Sequence, residues 1–501
     1  MLITANHLYN YIQCPHRVWR DLYGPKKEKN PKANPFVTLL WEKGALHEKE
    51  VVKRIGKFLD LSKGSHKNRF EKTILAVQNK TALIYQGVII YGDCMGIPDL
   101  LRHNGDGFYT PIDIKSGRSF EDSEDSRKYK KHYAIQLCHY TEILNSLGFA
   151  NLGFANKDIG IIIDIHEKET MYDLAKPISA RNKTTWLQYY YNTKSMVENL
   201  LKNNIQNKPA MTGICKLCPW HKSCKNWAKE RDDLTNIFCL GRSKRDVLNK
   251  ELGIEKTSDI ANINVEKILK QKYFNEHFLR GIAETTLNKI VRRAKLLNKK
   301  GNPILYKKIE FPKREYELFF DIEDDPTQEL VYLHGVYERF CQKERFIPFV
   351  AKTGSPTAEK EAWAKFWKYI NSLPKDEFVV YYYASHEKTV YKKLRELYPD
   401  VISEEALDKF FGKNIAIDLY TDVIYKHTDW PLSSYSLKDI AQYIGFKWRD
   451  KSPSGALSIQ WYNKYLETKN PKILDRILKY NEDDCKATMV IKDYIVSRQY
   501  P

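Results

Sequence analysis

Ionisable residues stand two apart on two apolar runs of this 501-residue chain. Asp99 closes the apolar stretch before GIPDLLR ends, and Asp113 and Lys115 stand in PIDIKSG. In LFFDIEDD, Asp321 and Glu323 are also two apart. Side chains two apart on a strand share one face, so each pair presents its groups together. Two carboxylates and a lysine suit a hard divalent cation such as Mg²⁺ or Mn²⁺, which takes oxygen ligands and keeps several waters. Such a cation polarises a phosphoryl oxygen and acidifies bound water. Lys115 would position the nucleophile or stabilise developing negative charge. Groups of these types in this pattern suit phosphodiester hydrolysis.

Other residues fall into register with these. His47, in GALHEKEV, offers an imidazole upstream of the first acids. Gln136 and Tyr140, in QLCHY, are four apart and share a helical face. Tyr480 and Asp484 repeat that spacing near the C-terminus, with Asp483 as the rival acid. Glu387 stands at a strand-to-helix junction in FVVYYYASHEKTVYKKL, and Asp418 lies in the apolar run IAIDLY. Cys215, Cys218 and Cys224 form C-x2-C-x5-C. Three close thiols call for a fourth ligand, and Cys14 in YIQCPHRVW is the best candidate, ahead of His221 and Cys239. Four thiolates suit a [4Fe–4S] cluster or a structural Zn²⁺. Cys94, Cys138, Cys341 and Cys485 are isolated and read as core residues.

The elements that must carry these residues divide the chain into three. Residues 1–230 read as mixed helix and strand, with strands at Thr81–Tyr91, Phe108–Ile114 and Ile159–Ile165 and a helix at Trp186–Leu201. Residues 231–303 read as a basic helical linker, in which LNKELGIEKTSDIANINVEKI has the form helix, Gly turn, helix, as in a helix-hairpin-helix element. Residues 304–501 open with three strand candidates, followed by helix, strand and helix, the order of an RNase H-like fold. The fold class is therefore α/β.

Composition narrows the function. The formal net charge is +19, which attracts polyanions. No run of about 18 apolar residues exists, so no membrane span is expected. No secretory signal is read at the start, and nine cysteines make no disulfide scaffold, so a cytoplasmic protein is expected. A G-x-x-x-x-G-K-[S/T] loop is missing, so any unwinding needs a helicase partner.

Taken in order, His47, Asp99, Asp113-x-Lys115 and Gln136-x-x-x-Tyr140 resemble the RecB-like PD-(D/E)XK nucleases, including those of CRISPR adaptation. The resemblance implies that the His, both acids and the Lys are catalytic and that the Q-x-x-x-Y helix supports them. One early cysteine with a late C-x2-C-x5-C resembles the iron–sulfur variant, in which the cluster staples the ends of the domain. Asp321-x-Glu323 with Tyr480-x-x-x-Asp484 resembles the DEDDy 3′–5′ exonucleases of the RNase H-like class. There four carboxylates bind two metal ions and the tyrosine orients the attacking water. Glu387 departs from that pattern, whose third acid is usually Asp. The implied protein is a nuclease with two candidate centres acting on nucleic acid, with single-stranded DNA as the expected substrate. CRISPR adaptation, repair and phage defence all fit. Two other classes compete: a binding or recruitment subunit with one decayed centre, and a redox-sensing regulator.

Overall fold

The computed structural model describes residues 1–30, 34–105, 108–121, 128–148, 158–205 and 207–498. The chain forms two compact units, Met1–Pro209 with Gly213–Cys224, and Ala210–Thr212 with Lys225–Pro501.

The first unit is built on a six-stranded mixed sheet. Its strands run in chain order: β1 (Leu59–Asp60), β2 (Leu83–Tyr85), β3 (Leu100–His103), β4 (Tyr109–Ile114), β5 (Ile159–Ile163) and β6 (Glu169–Asp173). β4 pairs antiparallel with β3 and parallel with β5. Every residue of β4 is buried, as expected of a central strand covered on both faces. The unit also carries helices α1 (Ala5–Gln13), α2 (Pro15–Tyr23), α3 (Pro35–Ile55), α4 (Lys131–Ser146) and α5 (Trp186–Leu201), of which α3 and α4 pack on β4. Ile135, Leu137 and Tyr140 of α4 join Ile84, Leu101 and Ile162 of the sheet in one core. A second cluster gathers Val51, Val52, Leu100, Ile112 and Ile163.

The sequence reading of Thr81–Tyr91 as one strand needs correction. The run breaks at Gln86, whose φ is +55°, into β2 and a separate strand Ile89–Tyr91 in another sheet. Apolar content gives no sign of this break, because Gln86 is turned to serve a polar site described below.

The second unit begins with helices α6 (Gly241–Leu252), α7 (Thr257–Ile260), α8 (Val265–Phe274) and α9 (Glu284–Lys299). α6 ends where the Gly turn was expected, with Gly253 left-handed at φ +67°. The helix expected after the turn is in fact two. α7 is a single turn, and Asn264 then starts α8 by accepting from the Lys267 backbone N–H.

The rest of this unit is a five-stranded sheet: β7 (Tyr316–Asp325), β8 (Leu330–Phe340), β9 (Lys343–Val350), β10 (Phe378–Tyr382) and β11 (Ala416–Asp418). The spatial order is β9-β8-β7-β10-β11, with an antiparallel meander and parallel β7–β10 and β10–β11 pairs. Helix α10 (Pro356–Ser372) follows β9, and α11 (His386–Leu397) follows β10. Helices α12 (Leu437–Tyr443), α13 (Gly455–Thr468) and α14 (Pro471–Ser497) complete it. Leu318, Phe320 and Ile322 of β7 enter a core with Trp363 and Phe366 of α10. Phe319, on the opposite face of the strand, enters a core with Tyr480, Cys485 and Ile491 of α14. By alternation Asp321 and Glu323 share the face of Phe319, toward α14.

Asp429 fastens α9 to the rest of this unit. It is fully buried and accepts from Arg292 Nε at 2.9 Å and Arg293 Nε at 2.7 Å. Tyr306 also donates to it. Cys94, Cys138 and Cys485 are buried as expected. Cys341 is exposed, because it turns the β8–β9 hairpin at φ +45°.

Gly335 lies directly opposite Asp321 in the β7–β8 register. A Cβ there would stand 1.7 Å from Asn481 Oδ1. Gly335→Ala should therefore displace Asn481 and lower stability by about 1–3 kcal/mol. Thermal melting with the wild type as reference checks this, and an unchanged melting temperature would refute it.

Candidate active sites

In the first unit, Asp113 and Lys115 leave the end of β4, and Lys115 Nζ pairs with Asp113 Oδ2 at 2.8 Å. The Lys115 backbone N–H is fixed to Ile163 O at 2.8 Å. Asp99, just before β3, accepts the Ile114 backbone N–H at 2.7 Å. Burial, then the Asp113 charge, holds the Asp99 carboxyl well above the usual range, with Lys115 pulling against both. Burial alone would lower the Lys115 ammonium, but Asp113 and Asp99 outweigh it and the net direction is up. The two acids and the lysine thus behave as one electrostatic unit.

Tyr140 is buried, and its hydroxyl is pushed up by burial and then by Asp113 and Asp99. Gln136 Oε1 is a buried acceptor with no hydrogen-bond partner among the described residues. His47 Nε2 meets the backbone carbonyl of Asp164 at 3.0 Å. Its neighbour Glu48 is tied to the acids more directly. Gln86 Nε2 donates to both Glu48 Oε1 and Asp99 Oδ1 at 3.0 Å. Sequence reading missed Glu48 and Gln86. An acid beside His47 was a visible signal, whereas Gln86 depends on a turn with no motif.

Cys14 lies at the junction of α1 and α2, and Cys215, Cys218 and Cys224 lie in the segment that closes the first unit. Each of the Cys218 and Cys224 thiols is raised first by burial and also by Cys14 and Cys215, so the four thiols lie within electrostatic reach of one another. Side chains of α2 hold the two segments together. Arg20 Nη1 donates to Ser223 Oγ at 2.8 Å, and its guanidinium lies 4.7 Å from the Trp220 ring centre. Trp220 Nε1 donates to Asp21 Oδ1 at 2.9 Å. Four thiols are the right donors for a cluster or a metal ion, and no three of these sulfurs lie within 4.8 Å of one another. Of the rival ligands, Cys239 lies in the second unit and interacts with Arg293.

In the second unit, Asp321, Glu323 and Asp484 bring one carboxylate oxygen each within 4.8 Å of one another. This donor set fits divalent cations that prefer oxygen. Asp483 is turned away and accepts from the Arg449 backbone N–H and Nε, both at 2.8 Å. Glu387, at the start of α11, stands outside the group of three but contributes to the field on Asp321. Its Oε2 is buried with no hydrogen-bond partner among the described residues. The turn that delivers it is strained, with Ala384 at φ +86°. Asp418 holds that turn by accepting from the Ala384 N–H at 3.0 Å. His386 pairs with Asp324 at 2.9 Å.

Several groups answer the crowding of negative charge. Asn481 Nδ2 donates to Asp321 Oδ2 at 2.7 Å, and Trp448 Nε1 to Asp484 Oδ1 at 2.7 Å. Lys438 Nζ donates to the Tyr480 hydroxyl at 2.8 Å and to Pro453 O at 3.0 Å. Its charge lowers Asp321, Glu323 and Asp484 toward ionisation. Sequence reading missed Asn481, Trp448 and Lys438. Asn481 follows Tyr480 directly and was within sight, but Lys438, on α12, and Trp448, just after it, arrive from a segment distant in sequence and carry no spacing signal.

The sequence model of the PD-(D/E)XK nuclease superfamily matches residues 14–225, and that of the RNase H superfamily matches residues 318–496. No curated protein and no solved structure matches the chain.

Burial, then the Asp484 charge, pushes Glu323 up to about 8, and burial pushes Glu387 up to about 8. A carboxyl raised on folding makes the folded state bind more protons than the unfolded state. Stability of the metal-free protein should then fall as pH rises from about 4.5 to about 8. Mg²⁺ or Mn²⁺ should restore stability most strongly at the upper end of that window. Thermal melting from pH 5 to 8.5, in EDTA and in Mn²⁺, checks both. A metal-free melting temperature that rises across the window would contradict the assignment, as would a metal effect independent of pH.

Proposed function

For a chain that joins a PD-(D/E)XK nuclease superfamily domain to an RNase H superfamily domain, we propose two active nuclease centres acting on single-stranded DNA. The observation that carries this is the convergence of Asp321, Glu323 and Asp484, whose charges act on Tyr480; the first domain has its own set in Asp99, Asp113 and Lys115.

In the first centre Asp99 and Asp113 hold a divalent cation, with His47 as a further ligand. Lys115 places the attacking water or steadies charge on the phosphate. Gln136 and Tyr140 support this set from α4. In the second centre Asp321, Glu323, Asp484 and Glu387 hold two divalent cations, as in a DEDDy 3′–5′ exonuclease. When bound, these ions supply Lewis acidity toward the scissile phosphate and an acidified water. Tyr480 orients that water, and Lys438 fixes the tyrosine by its hydrogen bond to the hydroxyl oxygen. Cys14, Cys215, Cys218 and Cys224 hold a [4Fe–4S] cluster that staples the ends of the first domain. Iron and acid-labile sulfide in anaerobically purified protein support this, and stoichiometric zinc without sulfide would replace it by a zinc site. No described helix is long and apolar enough to cross a membrane.

The position of Glu387 outside the group of three favours one alternative, in which the second domain binds nucleic acid without cutting it.

End-labelled single-stranded DNA with Mn²⁺ distinguishes the readings. Asp113→Ala and Asp321→Ala should each remove a distinct product pattern, slowing that activity roughly a hundredfold or more. This follows from the several kcal/mol that cation-mediated charge stabilisation contributes. An Asp321→Ala variant that cuts like wild type would leave the second domain as a binding module. Wild type inert on both this strand and an equivalent RNA would end the nuclease reading.

A further inference from the structure

Helix α8 carries an unusual surface. Tyr273 and Phe274, at its C-terminal end, are each 86% exposed. Every other exposed Tyr, Phe or Trp among the described residues is at most 62% exposed. The two rings meet edge to face, with centroids 5.5 Å apart and planes at 83°. No residue of α8 is fully buried, and the helix rests on the unit through half-buried Val265, Ile268 and Leu269. Its outer face therefore contributes nothing to the core, and exposing two large apolar rings there costs free energy that the fold does not require.

The end of this helix is nonetheless held firmly. Lys272 Nζ donates to the carbonyls of Phe278 at 2.7 Å and Leu279 at 3.1 Å. Phe278 and Leu279 are themselves buried in the core of the helical segment. The rings thus project from a fixed platform, which reduces the ordering that a ligand would have to impose.

The surroundings are basic. Residues 241–300 contain 15 Lys and Arg against 7 Asp and Glu, a net charge of +8. Lys267, Lys270 and Arg280 are exposed near the rings in sequence. Lys270 precedes Tyr273 and Phe274 by three and four positions, so it shares their helical face. Exposed rings stack on any unpaired base, and neighbouring cations track the phosphate backbone. A duplex hides its base faces and offers the rings nothing to stack on.

We propose that Tyr273 and Phe274 form a stacking platform for unpaired bases of single-stranded DNA, separate from both candidate catalytic centres. The proposal rests on the reading of the chain as a nucleic-acid enzyme and adds a site that holds the strand. Cleavage and strand holding are separable, because the platform contains no metal ligand.

The test uses the full chain in EDTA, with fluorescein-labelled oligo(dT) of 20 nucleotides, a 20-base-pair duplex and oligo(U) of equal length. Fluorescence anisotropy gives the affinities. Tyr273→Ala/Phe274→Ala should bind oligo(dT) about tenfold or more weakly and the duplex as wild type does. Its salt dependence should be unchanged, since no charge is removed. Tyr273→Trp/Phe274→Trp should retain wild-type binding. Equal oligo(dT) affinity in wild type and the double alanine variant would overturn the proposal. So would an equal loss on duplex, or a loss confined to oligo(U). A shift from dimer to monomer with DNA affinity unchanged would assign the rings to a second copy of the chain and overturn it as well. Cleavage in Mn²⁺ is measured in parallel. An inert wild type whose oligo(dT) binding depends on the rings would retain the platform and end the nuclease reading, so the two failures are distinct.

Discussion

Like charge held in a buried place is the constraint from which the rest of this protein follows. Asp321, Glu323 and Asp484 meet in one largely buried region with the charge of Glu387 acting on it, and Asp99 and Asp113 lie in another. Carboxylates that close, out of water, cannot all ionise unless positive charge comes to them. Lys115 brings it in the first unit and Lys438 in the second, while Trp448, Asn481 and backbone N–H groups take individual oxygens. One lysine for several acids leaves each centre short of positive charge. Divalent cations would supply the remainder, so the same arrangement that strains the metal-free protein gives it affinity for metal.

The scaffold places these charges by simple alternation. In β7 the apolar residues Leu318, Phe320 and Ile322 are drawn into one core, which turns Asp321 and Glu323 to the other face. The long helix α14 then lies across that face and delivers Tyr480, Asn481 and Asp484. The absence of a side chain at Gly335 lets Asn481 reach Asp321. In the first unit the fully buried β4 serves the same purpose, carrying Asp113 and Lys115 to a strand end where backbone contacts from β5 fix them.

Much of this was legible because it is local. Residues two apart on a strand and four apart on a helix share a face whatever else the chain does, so spacing alone pairs Asp113 with Lys115 and Tyr480 with Asp484. The succession of the first four strands and two helices in the second unit followed from apolar runs and helix patterns, whereas the three-residue strand β11 was too short to read. Contributions that depend on a turn or on a distant loop were not legible. Gln86 reaches Asp99 because the backbone turns left-handed inside an apolar run. Lys438 and Trp448 reach the acids from a segment about 40 residues before α14's Tyr480 and Asp484, a separation that hydrogen bonding in three dimensions decides. Glu48 was hidden by its neighbour, since a histidine drew the reading and the adjacent acid holds the shared amide.

The link between Asp429 and Arg292 and Arg293 has a consequence for how this protein can be divided. A charge boundary near residue 300 invites a cut between helical segment and sheet. Asp429 is wholly buried, and the cations that neutralise it lie on the far side of that cut, in α9. Separating a buried carboxylate from its partners costs about 3–5 kcal/mol, a large share of the net stability of an ordinary domain. The basic helices and the sheet therefore unfold as one cooperative body, and exchange of parts between related chains would have to carry residues 225–501 together.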